Sequence, residues 1–448
     1  MNKKTDVLVI GGGPAGMISA ITAKRYYPEK NVLLIKSIGN GCIPCGIPYM
    51  FASLKDPDEN KIGNESLEKS DVAVEVDEVV SIDRTQKQVI TKKGDSYSYE
   101  KLILAVGSSP MKLPIPGIGM KGVHRIVKDT NYLKKVIEQV RLSKNVLVLG
   151  GGFIGVEFAD ELSKISGINI SLAEVLPRLL MNSFDSDFSS MAEEKLKSQG
   201  VRLLTNTRIE EIIGNGKVEK VRLSNGTTID ADNIILGIGS IPDTKLAVNA
   251  GLDLNRINSI WVDEYMRTSD PDIFAIGDCA GKTDFFTRKA VPVMLASTAT
   301  SEARIAGANL YRLRVVRENR GTISIYSTYI NGLVLGSAGL TESTSKKEGF
   351  ETVVGSCRGF DKHPATLPGT NSTHVKLIFS RKSGTLMGGQ VSGGFPCGAM
   401  INLIGIAIQQ RMSVTELETL QVATHPYLTS SPTVYPIVIA AQNAANKI

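Results

Sequence analysis

The chain has 448 residues, of which 42% are hydrophobic and 21% are charged, and its formal net charge is +6. This composition is typical of a globular protein and excludes an intrinsically disordered chain. No apolar run reaches the roughly 18 residues that cross a bilayer, and the interspersed positive charges give no basis for nucleic-acid binding. We therefore expect a soluble cytoplasmic protein with neither a membrane nor a nucleic acid as partner.

The first predicted elements are a β-strand, a glycine-rich turn and a helix, in the stretch DVLVIGGGPAGMISAITAK. The turn follows the pattern G-x-G-x-x-G. Its glycines let the backbone approach a pyrophosphate, and the helix N-terminus supplies N–H groups and a positive dipole. We predict a dinucleotide site there, formed by Gly11, Gly13, Pro14, Ala15 and Gly16.

The same pattern returns in NVLVLGGGFIGVEFADELSK, which predicts a second strand, turn and helix. Two complete copies in one chain argue against glycine-rich turns that bind nothing. The residues that we assign to this second dinucleotide site are Gly150, Gly152, Ile154, Gly155 and Glu157.

The residue at the end of the next strand distinguishes the two sites. A Rossmann unit usually carries an acid there, about 20 residues after its last glycine, to bind the ribose hydroxyls. The second copy has Glu174, whose carboxylate accepts from the ribose 2′-OH and repels a 2′-phosphate, so we predict NADH over NADPH. The first copy has Lys36 instead, and the sequence leaves open whether Lys36 donates to the ribose or faces solvent.

Three further strands complete the pattern. YEKLILAVGSSP and ADNIILGIGSIP are similar apolar strands, each closed by a Gly-Ser-x-Pro turn, and Gly107 and Gly239 in these turns are cofactor-binding candidates. The strand in SDPDIFAIGDCAG ends in Gly277-Asp278. In this order the elements resemble the flavin-dependent pyridine nucleotide–disulfide oxidoreductases. The resemblance implies that the first turn binds FAD, that the second binds NAD(P)H, and that Asp278 holds the ribityl–pyrophosphate region of the flavin.

The resemblance also implies a fold class and a domain order. We expect an α/β protein with two Rossmann-like nucleotide-binding domains, for FAD and NAD, and a C-terminal α+β dimerisation domain that pairs two subunits into a homodimer. Strands followed by a helix are predicted after residue 320, in agreement with that last domain. The expected boundaries are 1–112 and 245–319 for the two parts of the FAD-binding domain, 113–244 for the NAD(H)-binding domain and 320–448 for the dimerisation domain.

The stretch GNGCIPCGIPYM holds two of the five cysteines, Cys42 and Cys45. CGIPY resembles the single-cysteine branch of the family, which contains coenzyme A disulfide reductases, NADH oxidases and NADH-dependent persulfide or polysulfide reductases. The match falls on Cys45, Gly46, Pro48 and Tyr49 and implies that Cys45 is the redox centre. An electropositive site near a helix N-terminus is expected to lower its pKa. Cys42 is left open as a disulfide partner of Cys45, a resolving thiol or a passive small residue.

A second candidate segment, ATHPYLTSSPTVYP, lies near the C-terminus. It resembles the His-Pro segment that reaches across the dimer, which implies His425 as an acid/base or ion-pair partner of Cys45 and Tyr427 as a further donor. The alternative is a His-Pro turn at a packed interface. Cys279, Cys357 and Cys397 are predicted to be structural, and no metal site is predicted because the chain offers too few ligands.

We expect an FAD enzyme that uses NADH to reduce a small persulfide, polysulfide or disulfide. Coenzyme A as a substrate or ligand is left open, because the chain has Thr366-Leu367-Pro368-Gly369 in a segment where coenzyme A disulfide reductases carry a tyrosine before Pro-Gly. The alternatives are an NADH oxidase that reduces oxygen to hydrogen peroxide or water, a reductase for an electron-carrier protein, and a flavin-bound redox sensor with little turnover.

Overall fold

The computed structural model describes residues 2–316 and 321–448. In the N-terminal segment the helices are α1 (Pro14–Tyr26) and α2 (Glu65–Glu68), and 3-10 turns lie at Pro44–Gly46, Pro48–Phe51 and Pro57–Asn60. Its strands are β1 (Asn2–Lys4), β2 (Val7–Ile10), β3 (Val32–Lys36), β4 (Ala73–Val76), β5 (Val79–Asp83), β6 (Gln88–Thr91), β7 (Ser96–Ser98), β8 (Lys101–Leu104) and β9 (Ser108–Pro110).

The next segment repeats the strand–turn–helix unit. Its helices are α3 (Thr130–Arg141), α4 (Phe153–Ser163) and α5 (Ser186–Ser198). Its strands are β10 (Val123–Arg125), β11 (Asn145–Leu149), β12 (Asn169–Ala173), β13 (Arg202–Leu204), β14 (Ile209–Ile213), β15 (Lys220–Leu223), β16 (Thr228–Asp230), β17 (Asn233–Leu236) and β18 (Ser240–Pro242).

The chain then returns to the first unit through α6 (Lys245–Asn249), β19 (Ile273–Ala275), a 3-10 turn at Gly277–Cys279 and α7 (Ala296–Ala308). Strand β19 joins the first sheet beside β8, which gives the parallel order β19-β8-β2-β3-β4. The second unit has its own parallel sheet, in the order β10-β17-β11-β12-β13. The two predicted Rossmann-like units are therefore present.

The C-terminal segment forms an antiparallel sheet in the order β20-β21-β24-β23-β22. Its strands are β20 (Tyr326–Ile330), β21 (Leu333–Gly339), β22 (Thr352–Phe360), β23 (Ser372–Ser380) and β24 (Leu386–Gly393). Its helices are α8 (Glu342–Lys347), α9 (Pro396–Gln409), α10 (Val414–Glu418) and α11 (Pro436–Ala445), with a 3-10 turn at Pro432–Val434. The predicted boundary between residues 319 and 320 lies outside the described residues.

The apolar strands explain why the two nucleotide-binding units form parallel sheets. All four residues of β2, VLVI, are buried, and so are the last four residues of β11. Continuous burial is typical of parallel strands that are covered on both faces by helices. The glycine-rich turns follow these strands directly, so each turn lies at the carboxyl edge of its sheet, where Rossmann units bind their ligands.

The two Gly-Ser-x-Pro stretches differ from the prediction. Gly107 and Gly239 do turn the chain, with φ of +76° and +88°. The residues after them are extended, however, and β9 pairs with β18 in an antiparallel ribbon. The backbone N–H and C=O groups of each stretch form hydrogen bonds with those of the other stretch. Neither stretch alone predicts this pairing. The ribbon joins the two nucleotide-binding units beside both sites.

One apolar cluster unites three distant parts of the chain around α4. It includes Cys42 and Phe51 from the cysteine segment, Phe158 from α4, and Ile330 and Leu335 from the hairpin that opens the C-terminal sheet. The helix of the second nucleotide site therefore packs between the cysteine segment and the C-terminal domain. No helix in the described ranges is long and apolar enough to cross a membrane.

Candidate active site

Both glycine-rich turns bring a helix start against the end of a strand. A Cβ atom at Gly16 would lie 1.9 Å from the carbonyl oxygen of Gly11, and one at Gly155 would lie 1.8 Å from that of Gly150. Gly11 and Gly150 have φ of +120° and +106°, in the left-handed region that glycine adopts without strain. The two turns therefore have the same backbone, and side chains at these positions would break it.

The remaining positions leave the outer side of each turn open. Gly13 and Gly152 precede α1 and α4, and a Cβ atom on either would meet nothing within 4 Å. The N–H groups of the first helical turn and the helix dipole favour an anion in this space. Pro14 starts α1, where its missing N–H costs no hydrogen bond, and Ile154 is exposed on the first turn of α4. Both turns fit the pyrophosphate of a dinucleotide.

The pair Gly277–Asp278 lies against the first of these turns. A Cβ atom at Gly277 would be 2.9 Å from the Cβ atom of Ala15. Oδ2 of Asp278 accepts a hydrogen bond from Oγ of Ser108 at 2.7 Å, and Nζ of Lys128 is 3.6 Å from the same oxygen. Asp278 thus stands beside the first glycine-rich turn, together with Ser108 and Lys128.

A buried ion pair fixes the backbone just before Asp278. Nζ of Lys282 and Oε2 of Glu302 are 3.1 Å apart, and both side chains are almost fully buried. The N–H of Gly277 donates to Glu302 at 2.9 Å, and Lys282 donates to the carbonyl of Gly277 at 2.6 Å. Both charged groups therefore fix the backbone of Gly277 in its left-handed conformation. The sequence analysis missed this pair because the two residues are distant in the chain and follow no motif.

Cys45 is exposed in the 3-10 turn Pro44–Gly46. Asn60 holds this turn, because its Nδ2 donates to the carbonyl of Ile43 at 3.0 Å. A Cβ atom at Gly46 would lie 2.0 Å from Oδ1 of Asn60, so glycine is required for this close packing. Asn60 closes the turn from 14 residues further along the chain, and no sequence pattern indicated it.

The charges around Cys45 come from both nucleotide-binding units. Burial raises the pKa of the Cys45 thiol, the carboxylates of Glu157 and Asp278 raise it further, and the ammonium of Lys128 lowers it. The structure therefore brings Cys45, Glu157 and Asp278 together. The expectation of a lowered pKa is wrong for the groups of one chain, because burial and the two carboxylates disfavour the thiolate more than a backbone hydrogen bond and Lys128 favour it.

The other four cysteines are buried free thiols. Burial raises the pKa of Cys42 to about 11, with a smaller effect of Asp129, so Cys42 remains a neutral thiol at physiological pH. Cys42 packs in the apolar cluster around α4, and Cys397 packs in the core of the C-terminal domain. Cys279 and Cys357 are also buried in apolar surroundings, which agrees with their predicted structural role.

Glu157 lies on α4 and faces the cysteine segment. Burial raises its pKa to about 7, although Oγ1 of Thr328 donates to its Oε1 at 2.8 Å and lowers the pKa. Burial also raises the pKa of Tyr49, and Glu157 is the charge that raises it most. Glu157 is thus a carboxyl group that exchanges its proton near neutral pH, placed among Cys45, Tyr49 and Thr328.

Glu174 and Lys36 end equivalent strands but make different contacts. Oε2 of Glu174 accepts from the N–H of Gly151 in the second glycine-rich turn at 2.6 Å, and Oε1 accepts from the N–H of Leu176 at 2.7 Å. Nζ of Lys36 donates to Oδ1 of Asn64 at 2.8 Å and lies almost fully buried. The alternative in which Lys36 faces solvent is therefore wrong.

His425 and Tyr427 lie in an exposed loop of the C-terminal domain. Within the described parts of the chain, the hydrogen bonds of His425 stay in this loop: its N–H donates to Oγ1 of Thr429 at 3.0 Å, and its Nδ1 accepts from the N–H of Tyr427 at 3.3 Å. Tyr427 and Leu428 are more than half exposed. The loop is thus an apolar surface that carries an imidazole, and it does not contact Cys45 of its own chain.

The fold and the site define a flavoprotein that oxidises a pyridine nucleotide. Residues 5–303 match the family model described as pyridine nucleotide-disulphide oxidoreductase, and residues 325–434 match the dimerisation domain of the same family. The chain belongs to the pyridine nucleotide-disulphide oxidoreductases and uses FAD and NAD(P)H. The dimerisation domain supports a homodimer.

The proteins similar to this chain are named for two kinds of activity. The NADH oxidase of Methanocaldococcus jannaschii is 28% identical and covers 98% of this chain and 99% of its own length. The NAD(P)H coenzyme A polysulfide/persulfide reductase of Pyrococcus horikoshii is 30% identical over 88% of each protein. The solved NAD-dependent persulfide reductase from A. fulgidus superposes with a TM-score of 0.91 at 28% identity, over 100% of this chain and 83% of that chain.

Proposed function

We propose that the chain uses NADH to reduce a low-molecular-weight persulfide, polysulfide or disulfide through Cys45. The observation that carries this proposal is the exposed thiol of Cys45, which stands on a turn closed by Gly46 and Asn60. The carboxylates of Glu157 in the second nucleotide site and Asp278 in the first both raise the pKa of this thiol. A sulfur that receives electrons from NADH by way of FAD must lie near both nucleotide sites. The similarity to the Pyrococcus horikoshii reductase supports the sulfur substrate.

The residues that we assign to FAD surround the first turn. The backbone of that turn would hold the pyrophosphate, and Asp278 and Lys128 would hold polar groups of the ribityl region. When bound there, FAD would supply the sulfur of Cys45 with an electron pair taken from NADH. The residues assigned to FAD are Gly11, Gly13, Pro14, Ala15, Gly16, Lys36, Gly107, Ser108, Lys128 and Asp278.

The second turn would hold NADH. The buried carboxylate of Glu174 is fixed by two backbone N–H groups, so it offers only acceptor lone pairs to a ribose hydroxyl and repels a 2′-phosphate. This supports NADH over NADPH. The residues assigned to the nucleotide are Gly150, Gly152, Ile154, Gly155, Glu157, Glu174 and Gly239, and the proposed domain limits remain 113–244 for this unit and 1–112 with 245–319 for the FAD unit.

The chemistry of Cys45 is thiol–disulfide exchange. Its thiolate attacks one sulfur of R–S–S–R′, forms a Cys45–S–S–R bond and releases R′S⁻. An electron pair then cleaves that bond, restores the thiolate and releases RS⁻, which takes up a proton. With R–S–SH the attack on the outer sulfur leaves Cys45–S–SH and RS⁻, and the same electron pair releases HS⁻.

The thiolate of Cys45 needs a positive charge, since the carboxylates of its own chain raise the pKa of the thiol. We assign that charge to His425 of the second subunit, with Tyr427 as a further donor, because the loop that carries them is exposed and belongs to the dimerisation domain. Cys42 is assigned no step, since it is buried and its pKa is about 11.

The acceptor is tested by one comparison. NADH consumption is measured anaerobically with polysulfide, with coenzyme A persulfide and with coenzyme A disulfide, and in air without a sulfur substrate. The proposal expects the sulfur substrates to exceed oxygen by more than tenfold in specificity constant. A rate with oxygen that exceeds all the sulfur rates would favour the second candidate, an NADH oxidase, which the similarity to the Methanocaldococcus jannaschii protein supports.

A further inference from the structure

The first strand of the C-terminal sheet contacts α4 at two points. Tyr326 and Thr328 are two residues apart on β20 and share one face of it, and they contact Phe153 and Glu157, which are one helical turn apart on α4. The rings of Tyr326 and Phe153 stack with centroids 5.1 Å apart, and Oγ1 of Thr328 donates to Oε1 of Glu157 at 2.8 Å. The C-terminal domain therefore fixes the helix that starts at the second glycine-rich turn.

The other side of α4 is fixed by the cysteine segment. The rings of Phe51 and Phe158 meet edge to face at 5.0 Å. The N–H and the hydroxyl of Ser53 each donate to a different oxygen of the buried Glu161 at 2.8 Å. Because α4 is held on both sides, the Thr328 hydroxyl reaches Glu157 in a set geometry.

We propose that Thr328 is a positioning residue for Glu157: its hydroxyl holds Oε1 so that the carboxyl group faces Cys45 and the nicotinamide end of the second nucleotide site. The inference rests on the proposed function, which assigns Glu157 to that site. It adds that a residue of the dimerisation domain, outside both nucleotide-binding segments, sets the state of a carboxyl group in the second nucleotide site.

The hydrogen bond acts on the proton of Glu157 as well as on its orientation. A hydroxyl that donates to a carboxylate favours the ionised form, so Thr328 lowers the pKa of Glu157 while burial raises it to about 7. Asp160 and Glu161 on the same helix also raise it. Cys45 and Tyr49 are the titratable groups of the cysteine segment that respond to Glu157.

The test measures the affinity of the flavin-loaded enzyme for NAD⁺ by calorimetry between pH 5.5 and 9, a range that spans the pKa of about 7. The positively charged nicotinamide favours an ionised Glu157, so affinity rises as pH rises through its pKa. Thr328→Val removes the hydroxyl at equal volume, and Thr328→Ala removes it without bulk. Thr328→Ser keeps the hydroxyl, and Ser327→Ala is the matched control, since Ser327 is exposed on the opposite face of β20.

We expect Thr328→Val and Thr328→Ala to move this rise to higher pH by about one unit, because the donor that stabilised the carboxylate is gone. Near pH 7 both variants then bind NAD⁺ several-fold more weakly. Thr328→Ser and Ser327→Ala keep the wild-type profile. Infrared difference spectra of the same samples follow the protonated carboxyl band of Glu157, which Glu157→Gln removes.

Two results separate the inference from the proposed function. If Glu157→Gln abolishes the pH-dependent rise but Thr328→Val and Thr328→Ala leave it at the wild-type pH, Thr328 does not position Glu157 and the inference is overturned. If Glu157→Gln removes the infrared band but leaves the NAD⁺ profile unchanged, Glu157 is not in the nucleotide site and that part of the proposed function fails.

Discussion

The two glycine-rich turns share one backbone, but the strand-end side chains beside them carry opposite charges and make different contacts. At the second turn, Glu174 accepts a hydrogen bond from the N–H of Gly151 at 2.6 Å. At the first turn, Lys36 occupies the equivalent place, since Cβ atoms added at Gly12 and Gly151 would meet Lys36 and Glu174 at 2.8 and 3.0 Å. Lys36 bonds instead to Asn64. Under the proposed function, the shared turn backbone binds a pyrophosphate and the strand-end residue decides what is recognised beyond it.

This difference also connects each turn to different parts of the chain. Glu174 accepts hydrogen bonds from the backbone of Gly151 and Leu176, which belong to its own unit. Lys36 reaches Asn64 and the carbonyl of Gly39, on either side of the segment that carries Cys45. Lys36 therefore links the first turn to the segment that carries Cys45, whereas α4 links the second turn both to that segment and to the C-terminal domain.

The largest effect is expected from an added methyl group in either turn. Gly16→Ala and Gly155→Ala each place a Cβ atom within 2 Å of a backbone oxygen, so each turn must distort. We expect Gly16→Ala to purify without flavin and without activity. Gly155→Ala should keep its flavin and reduce it with NADH at least about 100-fold more slowly, a loss of about 2.7 kcal/mol.

Absorbance spectra of the purified proteins and anaerobic stopped-flow reduction measure both outcomes. Gly119→Ala is the control, because a Cβ atom there meets nothing within 4 Å. Loss of flavin from Gly155→Ala with retention in Gly16→Ala would reverse the assignment of the two sites.

Glu174 should set the choice between NADH and NADPH. Glu174→Ala removes the charge that faces a 2′-phosphate, and we expect the NADH-over-NADPH ratio of specificity constants to fall by about one to two decades, or about 1–3 kcal/mol. Glu174→Asp keeps the charge and should keep most of the ratio. Steady-state kinetics with both nucleotides measure it, and an unchanged ratio in Glu174→Ala would show that another residue discriminates.

Lys36 should affect flavin binding only. Lys36→Met removes the charged donor of the half-buried Asn64, and a hydrogen bond to a charged group contributes about 1.5–3 kcal/mol. We expect FAD to dissociate about tenfold more readily, as followed by flavin fluorescence during dilution, with an unchanged ratio of NADH to NADPH use. A change in that ratio with normal flavin retention would contradict the separation of the two sites.

The smallest effect is expected from Cys42. Cys42→Ser replaces a buried thiol whose pKa is about 11, so turnover should stay within about twofold of the wild type while stability falls by about 1 kcal/mol. Turnover and thermal unfolding test this together. An inactive but folded Cys42→Ser protein would show that Cys42 takes part in the redox cycle.

The sequence predicted those elements that residues adjacent in the chain determine. Strand, glycine turn and helix stand next to each other in both nucleotide units, and the glycine spacing carries its own physical reason. The partners of these elements were not predictable in the same way. Asn60 reaches Cys45's turn, Thr328 reaches Glu157 and Lys282 pairs with Glu302 only after folding, and no spacing rule links them.

The pKa of Cys45 was also beyond a local prediction. The residues next to it in sequence carry no charge, and the carboxylates that raise its pKa come from positions 157 and 278. The pairing of β9 with β18 is a similar case, because each Gly-Ser-x-Pro stretch alone indicates a turn. Charge and pairing depend on the tertiary arrangement, whereas the glycine turns depend on their own backbone.

The central claim is that Cys45 receives the electrons that enter through the two nucleotide sites. The most direct test compares wild type, Cys45→Ser and Cys42→Ser after anaerobic reduction by NADH and reoxidation with a disulfide. We predict that wild type and Cys42→Ser show the long-wavelength absorption of a thiolate against oxidised flavin. Cys45→Ser should lack this band and all sulfur reduction, yet still be reduced by NADH at about the wild-type rate. A Cys45→Ser protein that keeps both the band and sulfur reduction would contradict the account.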